Sequence, residues 1–228
     1  ILRLSTSVEW TKKYLGMELY KEVNFQHPQI QNIITNGASN FLKVGKPEGK
    51  FNNALYEHNI WNSLTIAKGN ADAVETWCFG ADRSNEKMID FYLNNISTLN
   101  HFILYFMDRA HKIITAYSDE DLIHTNNTSE TANIQITQDV GEFLAQTNIK
   151  KYWIGIEQYL SSREVECLGH LLKGKSVKLI AKQLNLSART VETHIKNIKQ
   201  KLGCNFKSEL IEKVSHYNLG SLLPQDLE

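Results

Sequence analysis

Arg189, Thr193, Lys196 and Gln200 recur near the C-terminal end of the chain at steps of four, three and four residues. On a helix that turns 100° per residue they fall within about 40° of one direction and form a single ridge. Val191, Ile195, Ile198 and Leu202 cluster about the opposite direction, so the same stretch has an apolar side to bury. A guanidinium, an ammonium, a hydroxyl and an amide make a donor-rich set that suits the acceptor-rich edges and phosphates of a nucleic acid. Glu192 lies off the ridge centre and adds an acceptor. Nothing here resembles a catalytic constellation. The eight His residues are scattered, and there is no H-E-x-x-H, no G-x-S-x-G and no phosphate-binding Gly-rich loop. His194 falls on the apolar stripe and is expected to pack; His101 and His111 have no partner at ligand spacing. No enzyme is expected.

Leu160 to Gly203 must position that ridge, and the stretch reads as three short helices with punctuation between them. Ser161 and Glu164 have the S-x-x-E spacing of a capping box. The first helix then buries Val165, Leu168, Leu171 and Leu172 and ends at Gly174, a residue suited to the left-handed conformation of a helix end. Ser176 caps a second helix with Val177, Ile180, Ala181 and Leu184 at i, i+3, i+4, i+7. Asn185, Leu186 and Ser187 make a tight turn, and Ser187 caps the ridge-bearing helix. A fourth helix is expected, capped near Asn205 and carrying Leu210, Ile211 and Val214. Two short helices joined by a tight turn, the second with a donor-rich face, make a helix-turn-helix. A plain helical bundle with a solvated face would explain the charges, but not the caps, turn and ridge together.

The same stretch resembles the LuxR-type (GerE- or FixJ-like) DNA-binding domain. The matching positions are Leu160, Arg163-Glu164, Leu168, Gly174, Ile180-Ala181, Leu184, Ser187, Thr190-Val191, His194, Ile198 and Lys201-Leu202-Gly203, without a gap. The resemblance implies a sequence-specific regulator of transcription that binds double-stranded DNA. Glu192, Thr193 and Lys196 match the family's base-facing positions. Lys178, Arg189, Asn197 and Lys199 are the candidates for phosphate contact, which orients the helix without reading sequence. In that family the fourth helix helps the domain dimerise, which implies a homodimer on a two-fold operator. RNA polymerase is left open as a further partner.

Net charge is zero, yet it is divided unevenly along the 228 residues: residues 160–228 hold 11 Lys+Arg against 7 Asp+Glu, a net of +4, and the remainder holds 14 against 18. A basic C-terminal module behind an acidic domain suits a nucleic-acid binder with a separate control region. Apolar residues at 42% and charged residues at 22% are typical of a globular chain with a sizeable core. No apolar run approaches membrane-spanning length and no signal-peptide pattern opens the chain. The first residue, Ile rather than Met, reads as a trimmed sequence. Cys78, Cys167 and Cys204 are odd in number and have no metal-ligand spacing, which points to reduced thiols and no metal. A cytoplasmic location is expected.

The expected partition is an α/β sensory or ligand-binding-like domain at 1–118, a partly structured linker at 119–158 and an all-α four-helix domain at 159–228. In the first, Trp10 and Tyr14 sit on a short helix capped by Ser7; Ile30, Ile33 and Ile34 suggest a helix that Asn36-Gly37 ends; Phe51 to His58 reads as helix. Strands at Trp61–Ala67 and Val74–Ala81 make an antiparallel hairpin, and a long helical pattern from Ser84 to Tyr117 follows, bent or broken near Asn94-Asn95 or Ser97-Thr98. Met88, Leu99, Phe102, Ile103, Phe106, Ala110 and Ile113 form its apolar stripe. That order suggests an α-β-α sandwich of the PAS or GAF kind. It is also similar, over roughly Ser5 to Ile114, to the autoinducer-binding domain of quorum-sensing LuxR-type regulators, whose W-x-x-x-Y is matched by Trp10 and Tyr14.

One position departs from that family's chemistry. Its amide-binding Asp, nine residues after the Tyr, is Val23 here, and His58-Asn59-Ile60-Trp61 replaces a Gly- and Pro-containing segment. Valine accepts no hydrogen bond, and an amide left unpaired in a closed pocket loses about 1–3 kcal/mol. This argues against an acyl-homoserine lactone and leaves a different small molecule, or none. Trp10, Tyr14, Tyr20, Trp61 and Trp77 are the candidate pocket residues, with packing in the core as the equal alternative. Two other readings stand beside the regulator: a ligand-binding or protein-interaction module with a silent helix-turn-helix, and a sigma-factor-like promoter reader. The basic ridge speaks against the first and the acidic N-terminal half against the second.

Overall fold

A computed structural model describes residues 5–22, 28–36, 38–69, 74–116, 143–144, 146–154, 158–216 and 219. Expectations that concern Val23 and residues 117–142 fall outside the described residues, as do the side chains of Ile30, Ile34 and Ile113. By contacts the chain forms two compact units, one of residues 1–96 and 116–140, the other of 97–115 and 141–228.

In the first unit Ser7 caps α1 (Val8–Gly16), its Oγ accepting the Trp10 N–H at 3.1 Å. A short 3-10 helix (Leu19–Glu22), α2 (Pro28–Asn36), β1 (Ala38–Lys43), α3 (Gly49–Glu57), β2 (Trp61–Gly69), β3 (Val74–Ala81) and α4 (Met88–Asn94) follow. The strands form one antiparallel sheet in the order β1-β2-β3. Thr65 faces Phe41 on one side and Cys78 on the other, and a bulge falls between Trp61 and Leu64. The central strand has Trp61, Leu64, Ile66 and Ala67 buried. β3 alternates, with Glu75, Trp77, Phe79 and Ala81 half-buried and Thr76, Cys78 and Gly80 exposed. The expected hairpin is present, with its first strand two residues longer. The α/β character is as expected, and β1 is an addition: Ala-Ser-Asn-Phe-Leu-Lys has little intrinsic strand preference, and pairing with β2 makes it a strand.

The long helical pattern is two helices. α4 ends at Asn94 with Asn95 as its C-cap, and α5 runs from Ile96 to Ala116. Asn94 and Asn95 each donate their side-chain amide to a carbonyl four residues back, at 2.8 Å, and this local bonding competes with helix continuation. α5 buries Leu99, Ile103, Leu104, Met107, Ala110 and Ile114. α5 lies within the span 1–118 expected for the sensory domain, and by contacts its residues 97–115 group with 141–228. There it meets the segment that leads into the basic module. The Lys150 N–H donates to Asp108 at 3.3 Å, His101 and Thr147 hydrogen-bond at 2.6 Å, and the His111 ring stacks on Trp153.

The second unit continues with an antiparallel hairpin, β4 (Lys151–Ile154) and β5 (Gln158–Ser161), then α6 (Ser162–Leu172), α7 (Val177–Leu184), α8 (Ala188–Leu202) and α9 (Lys207–His216). The four expected helices are all present, and the hairpin joins them, so this region is helical without being purely so. Val165, Leu168, Ile180, Val191, Ile198, Leu202, Leu210 and Val214 share its core with Ile154 and Leu160 from the hairpin. Cys167 and Cys204 are free and buried there, and Cys78 is free and exposed. Burial pushes the Cys167 thiol up to about 11. Among the described residues no helix is long and apolar enough to cross a membrane.

Candidate nucleic-acid interface

The first three helices of the basic module are each started by a serine. Ser161 Oγ accepts the Glu164 N–H at 3.3 Å while Glu164 accepts the Ser161 N–H at 2.7 Å, a complete capping box. Ser176 Oγ accepts the Leu179 N–H at 3.4 Å and Ser187 Oγ the Thr190 N–H at 3.0 Å. Three of the helix ends share one design as well. After α6, α7 and α8 a residue in the left-handed region (Gly174 at φ 78°, Asn185 at φ 53°, Gly203 at φ 65°) reverses the chain. The next N–H then returns to a carbonyl five residues back: Lys175 to His170, Leu186 to Ala181 and Cys204 to Lys199, at 2.8–3.2 Å. The α7–α8 turn is therefore fixed at both ends, by Asn185 behind it and Ser187 ahead of it. Leu186 between them packs against the core.

A partly buried ion pair ties the far end of α8 to the start of α6. Lys201 Nζ lies 2.7 and 2.9 Å from the two carboxylate oxygens of Glu164, whose side chain is almost wholly buried, and it also sits 5.2 Å from the Tyr159 ring centroid. Burial pushes the Glu164 carboxyl up, but Lys201 and the Ser161 N–H and hydroxyl outweigh it and hold the group below its ordinary value. Sequence spacing gave no sign of this pair, because the partners are 37 residues apart and Lys201 is off the ridge.

With the helix held in this way, Arg189, Glu192, Thr193, Lys196 and Gln200 are all exposed, while Val191, Ile198 and Leu202 are buried on the other side and Ile195 is half-buried. His194 is half-buried, in keeping with a packed role. Lys178 is exposed in the first turn of α7. Asn197 is half-buried, and Lys199 donates its ammonium to the Asn205 carbonyl at 3.1 Å, which ties it to the connection before α9. Glu192, Lys196, Lys199 and Gln200 border an open depression that runs along α8 to Cys204 and Asn205. Glu209 accepts the N–H groups of Asn205 and Phe206, which cap α9 and lower its carboxyl pKa.

The aromatic candidates of the first unit divide. Trp10 and Tyr14 are buried in one cluster with Leu19 and Ala54, with Phe51 edge-on to both rings and Tyr20 beside Tyr14. Trp10 and Tyr14 are 3% and 4% exposed in this cluster. Trp61 packs edge-on against Tyr56 and donates its indole N–H to the Gly45 carbonyl at 3.0 Å. Trp77 is half-buried on β3 and donates to Glu75. Among the described residues no group of His, Cys, Asp and Glu could hold a metal ion.

A short helix, a fixed turn and a second helix with an exposed donor-rich face make residues 177–202 a helix-turn-helix. Residues 158–214 match the family model described as GerE, bacterial regulatory proteins of the luxR family. The chain is also similar to the HTH-type transcriptional regulator MalT of Yersinia pestis and of Yersinia pseudotuberculosis, at 39% identity over 54 residues, 24% of this chain and 6% of each relative. To the Fimbriae Z protein of Salmonella typhimurium it is 45% identical over 60 residues, 26% of this chain and 29% of that one. The chain therefore carries a LuxR-family helix-turn-helix domain, and it spans less than a third of the length of each of these relatives.

Proposed function

We propose that this chain is a sequence-specific DNA-binding regulator of transcription, with α8 seated in the major groove. The observation that carries this reading is the exposed ridge on a helix held at both ends inside a LuxR-family domain. Glu192, Thr193 and Lys196 read base edges, and Lys178, Arg189, Asn197 and Lys199 meet phosphates. The chain acts as a homodimer on a two-fold operator, with α9 in the interface. In its support, Ile211 on α9 and Phe206 just before it are 56% and 67% exposed and leave apolar surface on and beside this helix for a second copy to cover. Residues 1–118, of the PAS or GAF kind, form the sensory region, joined through 119–158 to the DNA-binding region at 159–228. The test is selection of duplexes from a random-sequence pool by the purified chain. Enrichment of one motif in two inverted copies about one helical turn apart supports the reading; a pool that stays random contradicts it.

A further inference from the structure

The hydroxyl of Thr193 is turned back on its own helix. Its Oγ1 donates to the Arg189 carbonyl at 2.9 Å, although the residue is exposed on the ridge. A threonine hydroxyl has one proton, and here the backbone holds it. What Thr193 offers outward is therefore a methyl group and oxygen lone pairs, with no donor for the N7 and O6 acceptors of guanine. Its neighbours differ in kind: the Lys196 ammonium only donates and the Glu192 carboxylate only accepts. Of the four bases only thymine projects a methyl group into the major groove.

We propose that Thr193 is a thymine reader: its methyl group packs against the C5-methyl of one thymine per half-site and makes that A·T pair a determinant of specificity. This rests on the placement of α8 in the groove argued above. The rival chemistry for the same side chain is acceptance by Oγ1 of a proton from adenine N6 or cytosine N4. Two variants separate them. Thr193→Val keeps the branched shape and the methyl without the oxygen, at similar helix propensity. Thr193→Ser keeps the oxygen without the methyl.

The experiment selects duplexes from a random pool with the full chain and both variants, then remakes the winning duplex with deoxyuridine in place of thymine. The wild type and Thr193→Val should select thymine at the same position, and removing its methyl should weaken both by about fourfold per half-site. Thr193→Ser should lose the preference and ignore the exchange. A wild type that enriches a site but is indifferent to deoxyuridine overturns this inference alone, as does a thymine preference that survives in Thr193→Ser and vanishes in Thr193→Val. A wild type that enriches nothing overturns the placement of α8 in the groove and this inference with it.

Discussion

Lys196 and Lys201 lie five residues apart on α8 and have different work. Lys196 is exposed on the ridge, where an ammonium can donate to guanine O6 or N7. Lys196→Ala should lose about 1–3 kcal/mol on the selected duplex and relax the preference at one position per half-site. Titrations against that duplex and a scrambled one check this: an equal loss on both would make Lys196 a phosphate contact. Lys201 instead neutralises the buried Glu164. The pair makes stability depend on pH. The Glu164 carboxyl is held below its ordinary value of 4.5, so the folded chain binds that proton more weakly than the unfolded one. Its contribution is complete above about pH 4.5 and is lost as the pH falls further. Denaturant melts between pH 3 and 7 should show a shallower acid loss for Glu164→Gln than for the wild type. Lys201→Met, which leaves the Glu164 carboxylate with only its Ser161 partners, should be the less stable variant near neutrality by about 1–2 kcal/mol.

At the scale of elements, the turn between α7 and α8 sets the angle at which the ridge is presented. Asn185 stands at φ 53° and ψ 47°, a conformation that glycine and asparagine tolerate and alanine resists. Asn185→Ala should lower the midpoint of thermal unfolding, equivalent to about 1 kcal/mol, while Asn185→Gly should leave it within a few tenths of that of the wild type. Equal melts for the two would mean the left-handed turn is not what fixes the helix pair. The elements of this module were legible in the sequence because their signals are local: Ser161, Ser176 and Ser187 as caps, Gly174 as a stop, and 3.6-residue apolar spacing between them. The unforeseen parts are held by partners distant in sequence. β1 is a strand because β2 pairs with it, and α5 groups with the C-terminal residues because Asp108 and His111 meet Lys150 and Trp153. The exposed positions of the ridge followed from the 100° turn, whereas the Lys201–Glu164 pair needed the folded chain.

For the molecule as a whole, the balance of charge and the position of the LuxR-family domain favour residues 158–214 as the region that meets DNA in the proposed function. The central claim is that the exposed face of α8 is the surface that binds. Its most direct measurement is a binding titration of the full chain and an Arg189→Ala, Lys196→Ala double variant against the selected duplex at two salt concentrations. The wild type should weaken steeply as salt rises, because each phosphate it neutralises releases counterions. The double variant should keep its fold by circular dichroism, bind at least about a hundredfold more weakly, and show a shallower salt dependence by about one to two contacts. A double variant that binds as tightly as the wild type, with the same salt slope, would contradict the account.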